Sequence, residues 1–290
     1  MAKSLTPTQM KHLNRKRKVI GFFVAMLAAT VVYQLGRAAI LLRHGREIAQ
    51  HSASFKRNYL VGKPTDKTLT YLVLGDSTAA GWGAKSAEET YVCKVAQAVA
   101  ARGFRVRVVN VAVGGARLRD VLATQIAALK TNRPQIVTVS VGANDATHGT
   151  DDIEYSNDLK TLFAALKTSG ATKILVANTP DMFQTPALVW PLARKFGGRA
   201  QTQNAIFDTL ISDTRIQKVD LFGKGKLVYA RDQNLYARDL FHPSSKGYRV
   251  WAREFVRVLD VRSFSDKRVA NSRFPLSARM PSFLDPRLKR

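Results

Sequence analysis

Hydrophobic positions along this 290-residue chain fall into two regimes. From Val19 to Gly36 the residues are uncharged and apolar nearly all round, with no polar face. From Thr70 onward, short apolar runs alternate with longer segments that are apolar along one side only. "TYLVL" (70–74) is continuous, as expected of a strand covered on both faces. Tyr91, Val95 and Val99 then recur at helical spacing to about Arg102. "RVRVVNV" (105–111) alternates and is β-branched; "QIVTVSV" (135–141) and "KILVAN" (173–178) read as further strands, and "KVDLF" (218–222) as a weaker fifth. Leu118, Leu122, Ile126 and Leu129 mark one helix, and Leu159, Leu162, Phe163 and Leu166 mark another. A last helix, capped by Ser244 or Ser245, repeats Tyr248, Trp251, Phe255 and Leu259 along one side. Strands alternating with helices require crossover connections. The predicted class is therefore α/β, a doubly wound, mostly parallel five-stranded sheet with helices on both faces.

The first regime predicts a membrane span. At about 1.5 Å per helical residue, the uncharged run approaches the ~30 Å hydrocarbon core, and a snorkelling Arg37 extends it towards Leu42. Six Lys/Arg precede it, whereas Arg37, Arg43 and Arg46 follow closely, so the positive-inside bias favours a cytoplasmic N-terminus and an extracytoplasmic remainder. A cleaved secretory signal, with Val19–Val32 as its apolar region, is the alternative. The chain thus divides into a basic segment (1–18), a transmembrane signal-anchor helix (19–42), a linker (43–69), a globular domain (70–260) and a basic tail without periodicity, expected to be disordered (261–290).

Charge sharpens this division. The formal net charge is +25, yet residues 61–260 hold 27 basic and 18 acidic side chains, so most of the excess lies at the two ends. That distribution suits an anionic lipid surface better than a basic catalytic groove, and no recognised nucleic-acid-binding module is present. The single cysteine, Cys93, excludes an internal disulfide framework and any thiolate metal cluster from this chain alone. No group of residues has metal-ligand spacing, and neither a P-loop nor a dinucleotide glycine fingerprint occurs; no cofactor is expected.

In doubly wound sheets, chemistry collects at the carboxyl ends of the strands. Four clusters fall there: Gly75-Asp76-Ser77, "NVAVGG" (110–115), "GAND" (142–145) and "DLFH" (239–242). A serine on a strand-to-helix turn exposes its Oγ where an anion is favoured. Gly114 and Gly115 leave backbone N–H groups unobstructed, and the Asn144 amide offers a neutral donor. An Asp three residues before a His can fix one imidazole tautomer while the other nitrogen takes a serine proton. Asp76 and Asp145 read as ties for loop backbone.

Together the four clusters resemble the consensus blocks of the SGNH hydrolases, also called GDSL-type esterases and lipases, over about residues 70–260. The resemblance implies a flavodoxin-like SGNH fold with Ser77 as nucleophile, His242 as base and Asp239 orienting it. It also implies an oxyanion hole from the Ser77 and Gly115 amides and the Asn144 side chain. Thr78 and Gly114 depart from the Leu and Ser frequent at these places in the family. The implied activity is hydrolysis of an ester or thioester of a lipid or acylated carbohydrate. An acyltransferase with the same triad, or a non-catalytic envelope or lipid-binding module, are the other readings. His148, beside "GAND", and Met182, Phe183 and Trp190, in the proline-rich stretch 178–196, are candidate substrate contacts.

Overall fold

The computed structural model describes residues 7–188, 190–211, 215–223, 229 and 232–260; the expected disordered tail lies outside them. Helix α1 runs from Pro7 to Ala53, well beyond the predicted span at both ends. Its most apolar window carries no buried residue, and by length and composition it could cross a membrane. From Thr30 to Ser52, however, positions at spacings of three and four (Gln34, Arg37, Leu41, His44, Ile48, Ser52) are shielded, so one stripe of the helix lies against the rest of the protein. The segment expected as a linker is thus largely structured. It holds the end of α1 and a four-residue strand, β1 (Asn58–Val61), too short to show a period.

The remaining strands are β2 (Lys67–Gly75), β3 (Phe104–Asn110), β4 (Ile136–Ser140), β5 (Lys173–Ala177) and β6 (Ile216–Val219). Among the described residues the sheet therefore has six strands rather than the predicted five, in the order β1-β3-β2-β4-β5-β6. Only the added edge strand is antiparallel, pairing Asn58 with Val109. Intervening helices are α2 (Tyr91–Ala100), α3 (Leu118–Thr124), α4 (Ala128–Asn132), α5 (Ala143–His148), α6 (Asp152–Thr168), α7 (Leu192–Leu210) and α8 (Ser245–Leu259). Side chains of β2 alternate between the two faces. Tyr71 and Val73 join a core with Tyr91, Tyr248, Trp251 and Phe255 of α2 and α8. Leu72 and Leu74 join Leu118, Leu159, Leu162 and Phe207 of α3, α6 and α7 on the other face. Tyr91 and Phe255 stack with centroids 4.4 Å apart. Thr90 and Ser244 cap α2 and α8 by accepting from Cys93 N and Gly247 N.

Two helices differ from expectation. The single helix predicted through Leu118–Leu129 is broken at Gln125, whose side chain turns inward to the sheet. Helix α7 gave no apolar period because its buried positions include Gly197, Gln203 and Asn204. The Asn204 amide accepts from Thr179 N (3.0 Å) and donates to Thr179 O (2.9 Å), filling a polar seam at the end of β5.

Candidate active site

Because β3 pairs with one edge of β2 and β4 with the other, the chain reverses direction across the sheet at the end of β2, and a crevice opens there. Ser77 lies two residues past that strand end, buried to 6% exposure. Gly75 makes the turn possible. Its φ is +140°, and a Cβ there would come within 2.0 Å of the Ser140 carbonyl oxygen. The Gln125 amide holds the same residue on both sides, accepting from Gly75 N (2.8 Å) and donating to Gly75 O (2.9 Å). Sequence reasoning missed Gln125, since a polar residue inside an amphipathic pattern reads as solvent-facing.

His242 and Asp239 arrive on the turn before α8. His242 Nε2 is 2.8 Å from Ser77 Oγ, and Nδ1 is 2.5 Å from Asp239 Oδ2. The proton inventory gives one consistent arrangement: the serine hydroxyl donates to Nε2, and Nδ1–H donates to the carboxylate. Asp239 is fully buried, and its Oδ1 accepts from the backbone N–H of Phe241 and of His242, each at 3.0 Å. Burial pushes its pKa up, but the hydrogen bond and charge of His242 and the two backbone donors outweigh this, holding the carboxyl below its ordinary range. Leu240, at φ +60°, makes the tight corner between the two residues.

The other two clusters are tied to the same rim. Val113 N donates to Gly75 O (3.1 Å), and Asn110 Nδ2 to Ala79 O (2.8 Å), which fixes the loop after β3 against the Ser77 turn. Asn144 Nδ2 donates to Ala116 O (3.1 Å), leaving its second N–H for another acceptor. Gly115 has φ +82° with nothing within 4 Å of where a Cβ would stand, so open space adjoins it. Among the described residues, the backbone N–H groups of Ser77 and Gly115 have no protein acceptor. Unpaired donors on the loops around a nucleophilic serine are what an oxyanion requires.

Asp76 and Asp145 tie loops. Asp76 Oδ1 accepts from Thr78 N (2.8 Å) and Thr78 Oγ1 (2.6 Å), and Ser140 Oγ, 2.9 Å from Thr78 Oγ1, completes that chain. Asp145 accepts from Leu118 N and Thr150 Oγ1, each at 3.1 Å; burial raises its pKa to about 6. Both departures from the family pattern have physical consequences. Thr78 supplies this hydroxyl relay, and a Cβ on Gly114 would stand only 2.2 Å from the Trp82 ring. Trp82 in turn lies 5.3 Å from the His242 ring, with Phe241 at 5.2 Å, so two aromatic rings flank the imidazole.

The candidate substrate contacts separate. Met182 lines a cavity of about 50 Å³ together with Thr78, Ala143, Thr185, Phe241 and His242. Phe183 lies against Gly197 of α7, outside that lining. Trp190 is 67% exposed, also outside it. His148 is exposed at the end of α5, with Nδ1 2.9 Å from Asn144 O. Among the described residues no group of His, Cys, Asp and Glu could hold a metal ion.

Comparisons with known proteins bear on the fold and the family. Esterase TesA of Pseudomonas aeruginosa is 26% identical over 138 residues, covering 47% of this chain and 68% of that protein. The GDSL-like esterase Rv1075c of Mycobacterium tuberculosis is 31% identical over 123 residues, 42% of this chain but only 39% of that relative. The crystal structure of TesA superposes with a TM-score of 0.54 at 21% identity, covering 66% of this chain and 97% of that one. A lipase/acylhydrolase from Enterococcus faecalis superposes with a TM-score of 0.51 at 22% identity, covering 67% and 96%. A family model, the GDSL-like lipase/acylhydrolase family, matches residues 73–250, more than half of the chain and all four clusters. This chain belongs to that family and is an ester-hydrolysing serine hydrolase.

Proposed function

We propose that the protein is a membrane-anchored esterase that forms an acyl-enzyme on Ser77 from an ester of a lipid or an acylated carbohydrate. The observation that carries the reading is the buried chain from Ser77 Oγ to His242 Nε2 to Asp239 Oδ2, with the Ser77 amide, and that of Gly115 on the adjoining loop, lacking a protein acceptor among the described residues. Ser77 Oγ attacks the acyl carbon as its proton passes to Nε2, and the imidazolium is held by the Asp239 carboxylate. The carbonyl oxygen, now an oxyanion, accepts from Ser77 N, Gly115 N and the free N–H of Asn144. His242 then protonates the departing alkoxide, and the alcohol leaves. Water enters, loses a proton to Nε2 and attacks the acyl carbon; the Oγ–acyl bond then breaks as Nε2 returns that proton to Ser77 Oγ, and the acid departs. The apolar, uncharged part of α1 anchors the chain, with the N-terminus cytoplasmic and the domain outside.

The test uses the full chain in detergent micelles. The wild type should hydrolyse p-nitrophenyl acetate and take a fluorophosphonate label. Ser77→Ala should lose both while keeping its melting temperature, and His242→Ala should lose labelling. Hydrolysis by a folded Ser77→Ala variant at the wild-type rate would remove Ser77 from the mechanism.

A further inference from the structure

Residues 178–188 leave β5 and pass the catalytic turn, and Trp190 meets α1. Ala187 N donates to the carbonyl of Leu240, the residue after Asp239 and two before His242. Three residues later, the Trp190 carbonyl accepts a hydrogen bond from Gln34 Nε2. Three extended residues span at most about 11 Å, so Trp190 lies close to the triad turn. Gln34 lies near the end of the uncharged run, which closes at Gly36. The loop beside the active-site rim is thus tied to α1 two residues before its uncharged run closes.

What the protein exposes at that level is consistent. On α1, Tyr33 is exposed, its hydroxyl accepts from Arg37 Nη2 (2.8 Å), and the Arg37 guanidinium lies 5.2 Å from the ring centroid. On the loop and the first turn of α7, Trp190 is 67% exposed, Leu192 37%, and Arg194 and Lys195 are exposed. An amphipathic aromatic, an aliphatic side chain and two cations on one short segment match the chemistry of the bilayer interface, where aromatic rings sit at headgroup depth and cations meet anionic lipid. The end of α1 and the residues just after it hold the domain in place. His51 Nε2 is 2.9 Å from Lys85 O, and half-buried Phe55 packs against the core that contains Ala79 and Ala80 of the turn after β2.

We infer that segment Trp190–Lys195 is a second membrane contact, which seats the catalytic crevice on the lipid surface so that the enzyme draws its ester from the bilayer. This rests on the anchored-esterase reading and narrows its substrate to an acyl ester held at a lipid surface. A helix anchor alone would let the domain stand off on a stalk; the shielded stripe and the Gln34–Trp190 bond bring it down.

The test is made on the full chain in vesicles of phosphatidylcholine and phosphatidylglycerol at 3:1. The chain has three tryptophans, of which Trp251 is buried and Trp82 half-buried. Replacing the phosphatidylcholine with its brominated form should quench the wild-type emission, and Trp190→Phe should remove most of that quenching. In the same vesicles, Trp190→Ser with Leu192→Ser should hydrolyse aqueous p-nitrophenyl acetate within twofold of wild type. Against p-nitrophenyl palmitate carried in the bilayer, it should be at least about tenfold slower. Quenching by aqueous acrylamide but not by brominated lipid overturns the inference, as does an equal loss on both esters. A wild type that hydrolyses neither ester defeats the esterase reading instead, and the quenching result still decides the membrane contact.

Discussion

Replacing Asp239 by Asn exchanges one oxygen for an NH₂ group and should reverse the polarity of the catalytic chain. In Asp239→Asn the amide oxygen can keep the two bonds that Oδ1 accepts from Phe241 N and His242 N, so the turn survives. The amide nitrogen then faces His242 Nδ1, where the carboxylate oxygen stood at 2.5 Å. Two donors cannot face each other, so the imidazole moves its proton to Nε2 and presents N–H to Ser77 Oγ in place of a lone pair. Restoring the productive tautomer leaves a mismatched buried pair, about 1–3 kcal/mol. Losing the carboxylate beside the imidazolium costs about 4 kcal/mol at an effective dielectric near 20. Together these reach about 5–7 kcal/mol, or roughly a 10⁴- to 10⁵-fold fall in kcat. Fold stability should change little, by about 1–2 kcal/mol, because only one charge-assisted bond is weakened. The assay is p-nitrophenyl acetate hydrolysis in detergent micelles at neutral pH, with a thermal melt in parallel. A folded variant within tenfold of wild type would show that Asp239 does not set the tautomer, and the triad reasoning would fall.

Two further predictions concern the scaffold under the site. Gln125→Leu strands the buried N–H of Gly75, whose C=O keeps only the Val113 N–H, which should cost about 1–3 kcal/mol and lower the melting temperature by roughly 3–10 °C. A loss under about 2 °C would mean that the clamp on the Ser77 turn is dispensable. Asp145 has a folded pKa of about 6 against an ordinary 3.8, so the native state binds the extra proton between these values. Its contribution to stability is full at low pH and is lost as pH rises through about 6. Asp145→Asn, which removes the buried charge, should therefore gain on wild type by up to roughly 3 kcal/mol between pH 4 and pH 7. Melts across that range test this, and a constant gap between the two proteins would refute it.

The hydrophobic pattern by itself determined the α/β class, because strands covered on both faces must be continuous apolar runs and the crossover helices must be apolar on one side. It also brought the clusters 75–77, 110–115, 142–145 and 239–242 to one rim of the predicted sheet, while the choice of Ser77, Gly115, Asn144, Asp239 and His242 within them came from the resemblance to the family. What it left out shares one cause. Strand β1 is too short to carry a period, and α7 buries Gly197, Gln203 and Asn204 rather than a hydrophobic stripe. Gln125 and Trp82 take their roles from residues distant in sequence, the first from Gly75 and the second from Gly114 and His242. The attachment of α1 is of the same kind. A helix shielded at every third or fourth position from Gln34 to Ser52 looks, in sequence, like an anchor running into a linker. Periodicity reports only how a segment divides its own faces between oil and water. Which surface a polar side chain meets, and how close the active-site rim comes to the membrane-spanning helix, are set by contacts between residues far apart in the chain.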